Sequence, residues 1–191
     1  WETDPNVIVT RGSLETPEQY TPGVPLGGVW EGNLTMGTSW HYKPTNESYK
    51  SGTELINTLI QTRAKGGNLL LNIGPKPDGE IPIEQEALMR ELGLWNFVNE
   101  ESIIGVRPWT VTNEENIWFT KKRNEDTVYA FITGEPLSYG KRATFSIKSV
   151  RASEKTTVEV LGQSGKILEY SPDVLPESSW TQDANGLHIT A

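Results

Sequence analysis

Acid/base chemistry in this chain falls to carboxylates, because the sequence holds no cysteine and only two histidines, His41 and His188. The missing thiols exclude disulfides, cysteine-ligated zinc and thiol catalysis together. Two histidines are a poor basis for a histidine-built metal site or a serine triad. The carboxylates in the most suggestive setting lie in and just beyond "VTRGSLETPEQY": Glu15 and Glu18 follow an apolar run that ends in Arg11, and Glu31 follows Trp30. A solvated surface position explains any single glutamate. A loop after a buried strand, with Pro17 fixing the backbone beside Glu18, is also where a catalytic carboxylate can be held. Arg11 admits two readings, an ion pair at a strand end or a cation aimed at a ligand.

Aromatic residues are the second resource. The chain has seven Trp, six Tyr and four Phe, and their faces pack either in cores or on the C–H faces of sugars. Trp30 and Trp40 bracket "EGNLTMGTS". One of them can be core and the other a sugar platform, and periodicity alone does not separate them.

The elements needed to position these residues are legible from pattern. "NVIVTR" (Asn6 to Arg11), "GGVWEGNLTMG" (Gly27 to Gly37) and "GNLLLNIGP" (Gly67 to Pro75) read as strands. Their continuous apolar runs suit a parallel sheet buried on two faces. "SGTELINTLIQTRAKGG" reads as a helix with Leu55, Ile56, Leu59 and Ile60 at helical spacing, Ser51 or Thr53 as N-cap and Lys65-Gly66-Gly67 as its end. "IPIEQEALMRELGLWNFVNEESI" reads as a second helix, with Ile83, Ala87, Leu88, Leu92, Trp95 and Phe97 largely on one face. Such alternation is the order of an α/β fold. From about residue 111 the pattern becomes all-β: "NIWFTKKR", "DTVYAFIT", "RATFSIKSV", "TTVEVLG", "GKILEYSP" and "GLHIT". The expectation is an α/β domain over residues 1–110 and a β-sandwich over 111–191. "KPDG" is a turn by its own chemistry, and Asn72 falls at a strand end.

A length of 191 residues suits one large domain or two small ones, and a formal charge of -8 disfavours a nucleic-acid partner. No apolar run approaches the ~20 residues of a membrane helix.

The run "KGGNLLLNIGPKPDGEIP" (Lys65 to Pro82), with "TPEQ" and "VWEGNLTMGTSWHY" upstream and "IIGVRPW" downstream, resembles the C-terminal part of retaining α-L-fucosidases. The order and spacing match through residue 110, and the later residues match in position and character. The resemblance implies the C-terminal half of a (β/α)-barrel followed by a β-sandwich. It also implies hydrolysis of terminal α-L-fucosyl residues by a two-carboxylate double displacement. The nucleophilic aspartate of such enzymes ends an earlier strand, so it is expected upstream, in an N-terminal portion of the same enzyme.

Residue by residue, the family's Thr-x-Glu segment maps onto Thr16-Pro17-Glu18, making Glu18 the candidate acid/base. Glu31, in the matching Trp-Glu pair, is the alternative. The family's strand-end arginine, which contacts fucose, maps onto Arg11, although Val9-Thr10 replaces the usual Asn-Asp. The aromatic residue beside the sugar's methyl group maps onto Trp40, with His41 in place of a glycine. The implied partner is a fucosylated glycan, without metal or cofactor, in a secreted, extracytoplasmic or lysosomal setting. Asn33-Leu34-Thr35 and Asn46-Glu47-Ser48 are glycosylation sequons that matter only in a eukaryotic secretory route. The rival reading is a carbohydrate-binding protein without catalysis.

Overall fold

The computed structural model describes residues 15–134, 138, 141–163 and 178–191. Arg11 and the strand expected over 6–11 lie outside the described residues.

Two parallel strands, β1 (Glu31–Thr35) and β2 (Asn68–Asn72), are joined through helix α1 (Gly52–Ala64). Residues 15–19 run parallel along the other side of β1. Isolated bridges pair Glu15 with Trp30 and Glu18 with Asn33. The loop expected around Glu15 and Glu18 is therefore a short paired segment. Its backbone groups find partners on β1, as extended chain beside a sheet edge requires.

Helix α1 starts with a capping box, in which Ser51 and Glu54 satisfy each other's backbone amides. Its end is a tight one, with Gly66 at φ 84 releasing the chain straight into β2. A Cβ at Gly67 would collide with the Trp30 indole, so the entry to β2 lies directly on that ring. Trp30 itself is 1% exposed and donates its Nε1 hydrogen to the Lys65 carbonyl at 3.2 Å. This settles which tryptophan of the bracketed pair is core.

Helix α2 (Ile83–Ile103) and three antiparallel strands follow: β3 (Val106–Glu114), β4 (Ile117–Lys122) and β5 (Val128–Ile132), in sheet order β3-β4-β5. The expected single apolar face of α2 holds only in part. Leu92 and Trp95 pack inward, whereas Ile83 and Phe97 are exposed. The inward cluster of Leu59, Ile60, Ile103 and Phe131, with Leu69, Trp95 and Trp118 against it, places the two helices between the parallel strands and the antiparallel sheet.

A further antiparallel sheet has the order β6-β8-β7, from β6 (Thr144–Ile147), β7 (Ser179–Asp183) and β8 (Gly186–Thr190). Ile117 and Phe119 of β4 share a core with Phe145, Ile147 and Ile189, so the two three-stranded sheets face each other in a sandwich-like arrangement. The strands expected in "NIWFTKKR", "DTVYAFIT", "RATFSIKSV" and "GLHIT" form; "TTVEVLG" does not, and "GKILEYSP" lies outside the described residues. The described α/β part has the character of a partial barrel. No described helix is long and apolar enough to cross a membrane.

Candidate functional site

Strand alternation sorts the parallel segment into two faces. Trp30, Gly32, Leu34 and Met36 turn toward the helices and are buried, as is Pro17 on the neighbouring segment. Glu31, Asn33 and Thr35 point to the opposite face, together with Asn68, Leu70 and Asn72 in register on β2. Glu18, bridged to Asn33, belongs to this second face.

The two candidate glutamates thus share a face and differ in height. Glu31 opens β1 at its N-terminal end and is half-buried. Glu18 sits beside Asn33, about 6.6 Å further along at ~3.3 Å per residue. That is toward the C-terminal ends of the strands, where (β/α)-barrels carry their chemistry. Its side chain is exposed, while its backbone is fixed on both sides. The Asn33 amide donates to the Pro17 carbonyl at 2.9 Å and the Gln19 amide donates to the Asn33 carbonyl at 2.9 Å. Gln19 then turns left-handed, at φ 61, and ends the segment. The Thr35 hydroxyl lies 3.2 Å from Gln19 Oε1 and 2.6 Å from the Gly37 carbonyl, fastening the end of β1 to that turn.

Trp40 lies beyond the C-terminal end of β1 and is 41% exposed. Asn72, the last residue of β2, donates from Nδ2 to the Trp40 carbonyl at 2.7 Å. The flank of the same loop is tied by Glu47, whose Oε1 accepts from the Thr38 amide at 2.8 Å, the Thr38 hydroxyl at 2.7 Å and the Ser48 amide at 2.9 Å. Donation from Thr38 outweighs desolvation and holds the Glu47 carboxyl below the ordinary carboxylate range, with Ser48 and Lys43 adding to it. Lys50 reaches the Thr35 carbonyl from the far side of the loop at 2.6 Å.

The structure therefore puts Asn72 and the Trp40 carbonyl together at the C-terminal end of the parallel strands, Glu31 at the N-terminal end of β1, and Glu18 between them beside Asn33 at mid-strand. Arg11 lies outside the described residues. The sequence shows Asn72 only as a strand-end residue without a partner, and Glu47 only as the middle of a sequon. The continuous apolar run suits a strand buried on two faces, but β2 is only half-buried, with Leu70 45% exposed; an asparagine closing that run is the available signal for Asn72, and nothing in the spacing marks Glu47.

Other clusters belong elsewhere. Ser146 Oγ lies 2.8 Å from His188 Nδ1, and His188 Nε2 lies 3.0 Å from Asp183 Oδ1. Ser146 and His188 are direct cross-strand neighbours, and Asp183 also accepts the Asn185 and Gly186 amides, so this chain of groups staples the β7–β8 turn. A groove bounded by Arg63, Asn68, Leu69, Phe97 and Ile104 opens at the N-terminal end of β2, away from Glu18. Its guanidinium is committed to the Ile103 and Gly67 carbonyls and to Asn68 Oδ1. Among the described residues, no group of three or more His, Cys, Asp or Glu could hold a metal ion.

Comparison with known proteins matches the chain to two family models. The model of the alpha-L-fucosidase family matches residues 2–101, and that of the alpha-L-fucosidase C-terminal domain matches 111–190. The chain is 36% identical over 157 residues to a plasma alpha-L-fucosidase of Rattus norvegicus, covering 79% of this chain and 34% of that protein. It is 34% identical over 179 residues to a tissue alpha-L-fucosidase of Mus musculus, covering 90% of this chain and 36% of the relative. Among solved structures, Thermotoga maritima alpha-fucosidase in complex with a mechanism-based inhibitor superimposes with a TM-score of 0.72 at 29% identity, over 96% of this chain and 39% of that one. An alpha-L-fucosidase of Paenibacillus thiaminolyticus, at 21% identity, shares the fold with a TM-score of 0.74, over 94% of this chain and 41% of that one. The chain spans about a third of the length of these curated relatives.

Proposed function

The chain belongs to the alpha-L-fucosidase family, and on that footing we propose that it supplies the acid/base carboxylate, a sugar-facing aromatic and the β-sandwich of an enzyme that removes terminal α-L-fucosyl residues with retention. The observation that carries the assignment is the position of Glu18. It is an exposed carboxylate on the face of the parallel strands turned away from the helices, two residues further toward their C-terminal ends than Glu31, with its backbone pinned to β1 on both sides.

In the first step, a nucleophilic aspartate outside this chain attacks the anomeric carbon. The bond to the leaving oxygen breaks, and the protonated Glu18 carboxyl gives that oxygen its proton. In the second step, the Glu18 carboxylate takes a proton from water, whose oxygen attacks the same carbon and releases the aspartate. Retention requires the two carboxyl groups to stand about 5 to 5.5 Å apart. Trp40 borders the sugar, and Arg11, which lies outside the described residues, is given its contact with fucose by the family resemblance. Neither a metal nor an organic cofactor is called for in this scheme. A secreted, extracytoplasmic or lysosomal location belongs to the same proposal.

The test is Glu18→Gln in the assembled enzyme. Turnover of natural fucosides is expected to fall by roughly 10²- to 10⁴-fold, the usual contribution of a general acid or base. A 2,4-dinitrophenyl fucoside, whose leaving group needs no proton, should lose much less in the glycosylation step. Unchanged activity on both substrates moves the role to Glu31.

A further inference from the structure

Resting on the fucosidase reading, we propose that Asn72 is a positioning residue for sugar recognition, acting through the backbone of Trp40. Trp40 is 41% exposed and is not closed into the core, so where its ring stands depends on how its main chain is held. That main chain is seated on the residues after β2. Asn72 Nδ2 donates to the Trp40 carbonyl at 2.7 Å. Two positions on, a Cβ at Gly74 would stand 2.7 Å from the Tyr42 nitrogen and 2.8 Å from the His41 carbonyl carbon, so the absence of a side chain there lets the 40–42 backbone settle directly on the turn.

The seat is itself anchored. The Gly74 amide donates to Gln85 Oε1 at 2.9 Å, and Gln85 Nε2 donates to the Tyr49 hydroxyl at 3.2 Å. Gln85 is a buried polar residue near the start of α2, which keeps the turn in register with the helix. From the opposite flank, Glu47 holds Thr38 and Lys50 holds Thr35. The Asn72 bond is the contact that reaches Trp40 itself.

An aromatic platform that holds the sugar equally well before and in the transition state contributes to KM and not to kcat. In the assembled enzyme, Asn72→Ala is therefore expected to raise KM for a fucoside by roughly five- to tenfold, the effect of one lost hydrogen bond, with kcat within about twofold. Asn72→Asp keeps the shape, but its carboxylate opposes the Trp40 carbonyl, and only its protonated form can donate. Its KM relative to that of Asn72→Ala should fall on acidification, which a merely structural role would not produce.

A double-mutant cycle with Trp40→Ala completes the test, since Asn72→Ala should have no further effect on KM once the ring is gone. Additive effects in that cycle, or an unchanged KM in Asn72→Ala, overturn the inference while the parent enzyme still releases fucose. A parent enzyme that releases none overturns the proposed function instead.

Discussion

Glu18 and Glu31 present the same functional group to the same face of neighbouring parallel segments, and height along the strands separates them. A carboxylate at the N-terminal end of a barrel strand serves stability, whereas one further along toward the C-terminal end, as Glu18 is beside Asn33, is nearer to where a substrate is met. Glu31→Gln is accordingly expected to keep activity on natural fucosides within about threefold, in the assay where Glu18→Gln loses orders of magnitude. Equal losses in the two variants would remove the argument from height. The residue types were legible in the sequence, since the lack of Cys and the scarcity of His left carboxylates to do the work. Height was not, because it depends on the pairing of Glu18 with Asn33, a contact between separate segments.

At the scale of elements, strand context decides how the two sequons can be used. Asn33 lies within β1, paired with Leu70 and bridged to Glu18, while Asn46 is exposed in a turn at φ 55. A glycan needs a surface loop. Peptide mapping after expression through a eukaryotic secretory route is expected to find a glycan on Asn46 and none on Asn33; a glycan on Asn33 of the folded protein would contradict this placement.

Glu114, closing β3, joins the two antiparallel sheets by accepting the Lys148 and Ser149 amides at 2.7 Å each. Burial pushes its carboxyl up, but donation from Ser149 and Lys148 outweighs it and leaves the group below the ordinary range. A carboxyl depressed in the folded state contributes stability that is fully present above its unfolded value, about pH 4.3. This contribution is lost as pH falls through the lower folded value. Glu114→Gln should thus be less stable than the parent at pH 7, with the difference shrinking by pH 3 in denaturant titrations. A difference independent of pH would assign the effect to geometry alone.

For the whole molecule, the helices make one core with both neighbours. Phe131 on β5 is 8% exposed, and its ring centroid lies 6.3 Å from that of Trp95 on α2. Lys65 Nζ, at the end of α1, sits 5.0 Å from the centre of the Trp118 ring on β4. Burial holds the Lys65 ammonium below its ordinary pKa. Such sharing predicts that the α/β part and the antiparallel sheet unfold together. Phe131→Ala should cost about 3–5 kcal/mol and lower the helical and aromatic circular-dichroism transitions by the same amount. Separated transitions would show that the two parts fold independently.

Local chemistry along the chain determined a good deal by itself: the change from α/β to all-β pattern, a start for α1 at Ser51 or Thr53, a strand within "GNLLLNIGP", and the confinement of acid/base chemistry to carboxylates. These follow from hydrophobic period, turn chemistry and composition, which act between near neighbours. Tertiary structure decided which tryptophan is core, because Trp30 is buried by Gly67 and the Lys65 carbonyl across the α1 crossover. It also decided that α2 exposes Ile83 and Phe97, and that Asn72 holds Trp40. Each depends on which segments lie side by side, and hydrophobic period says only that a face is buried, never against what.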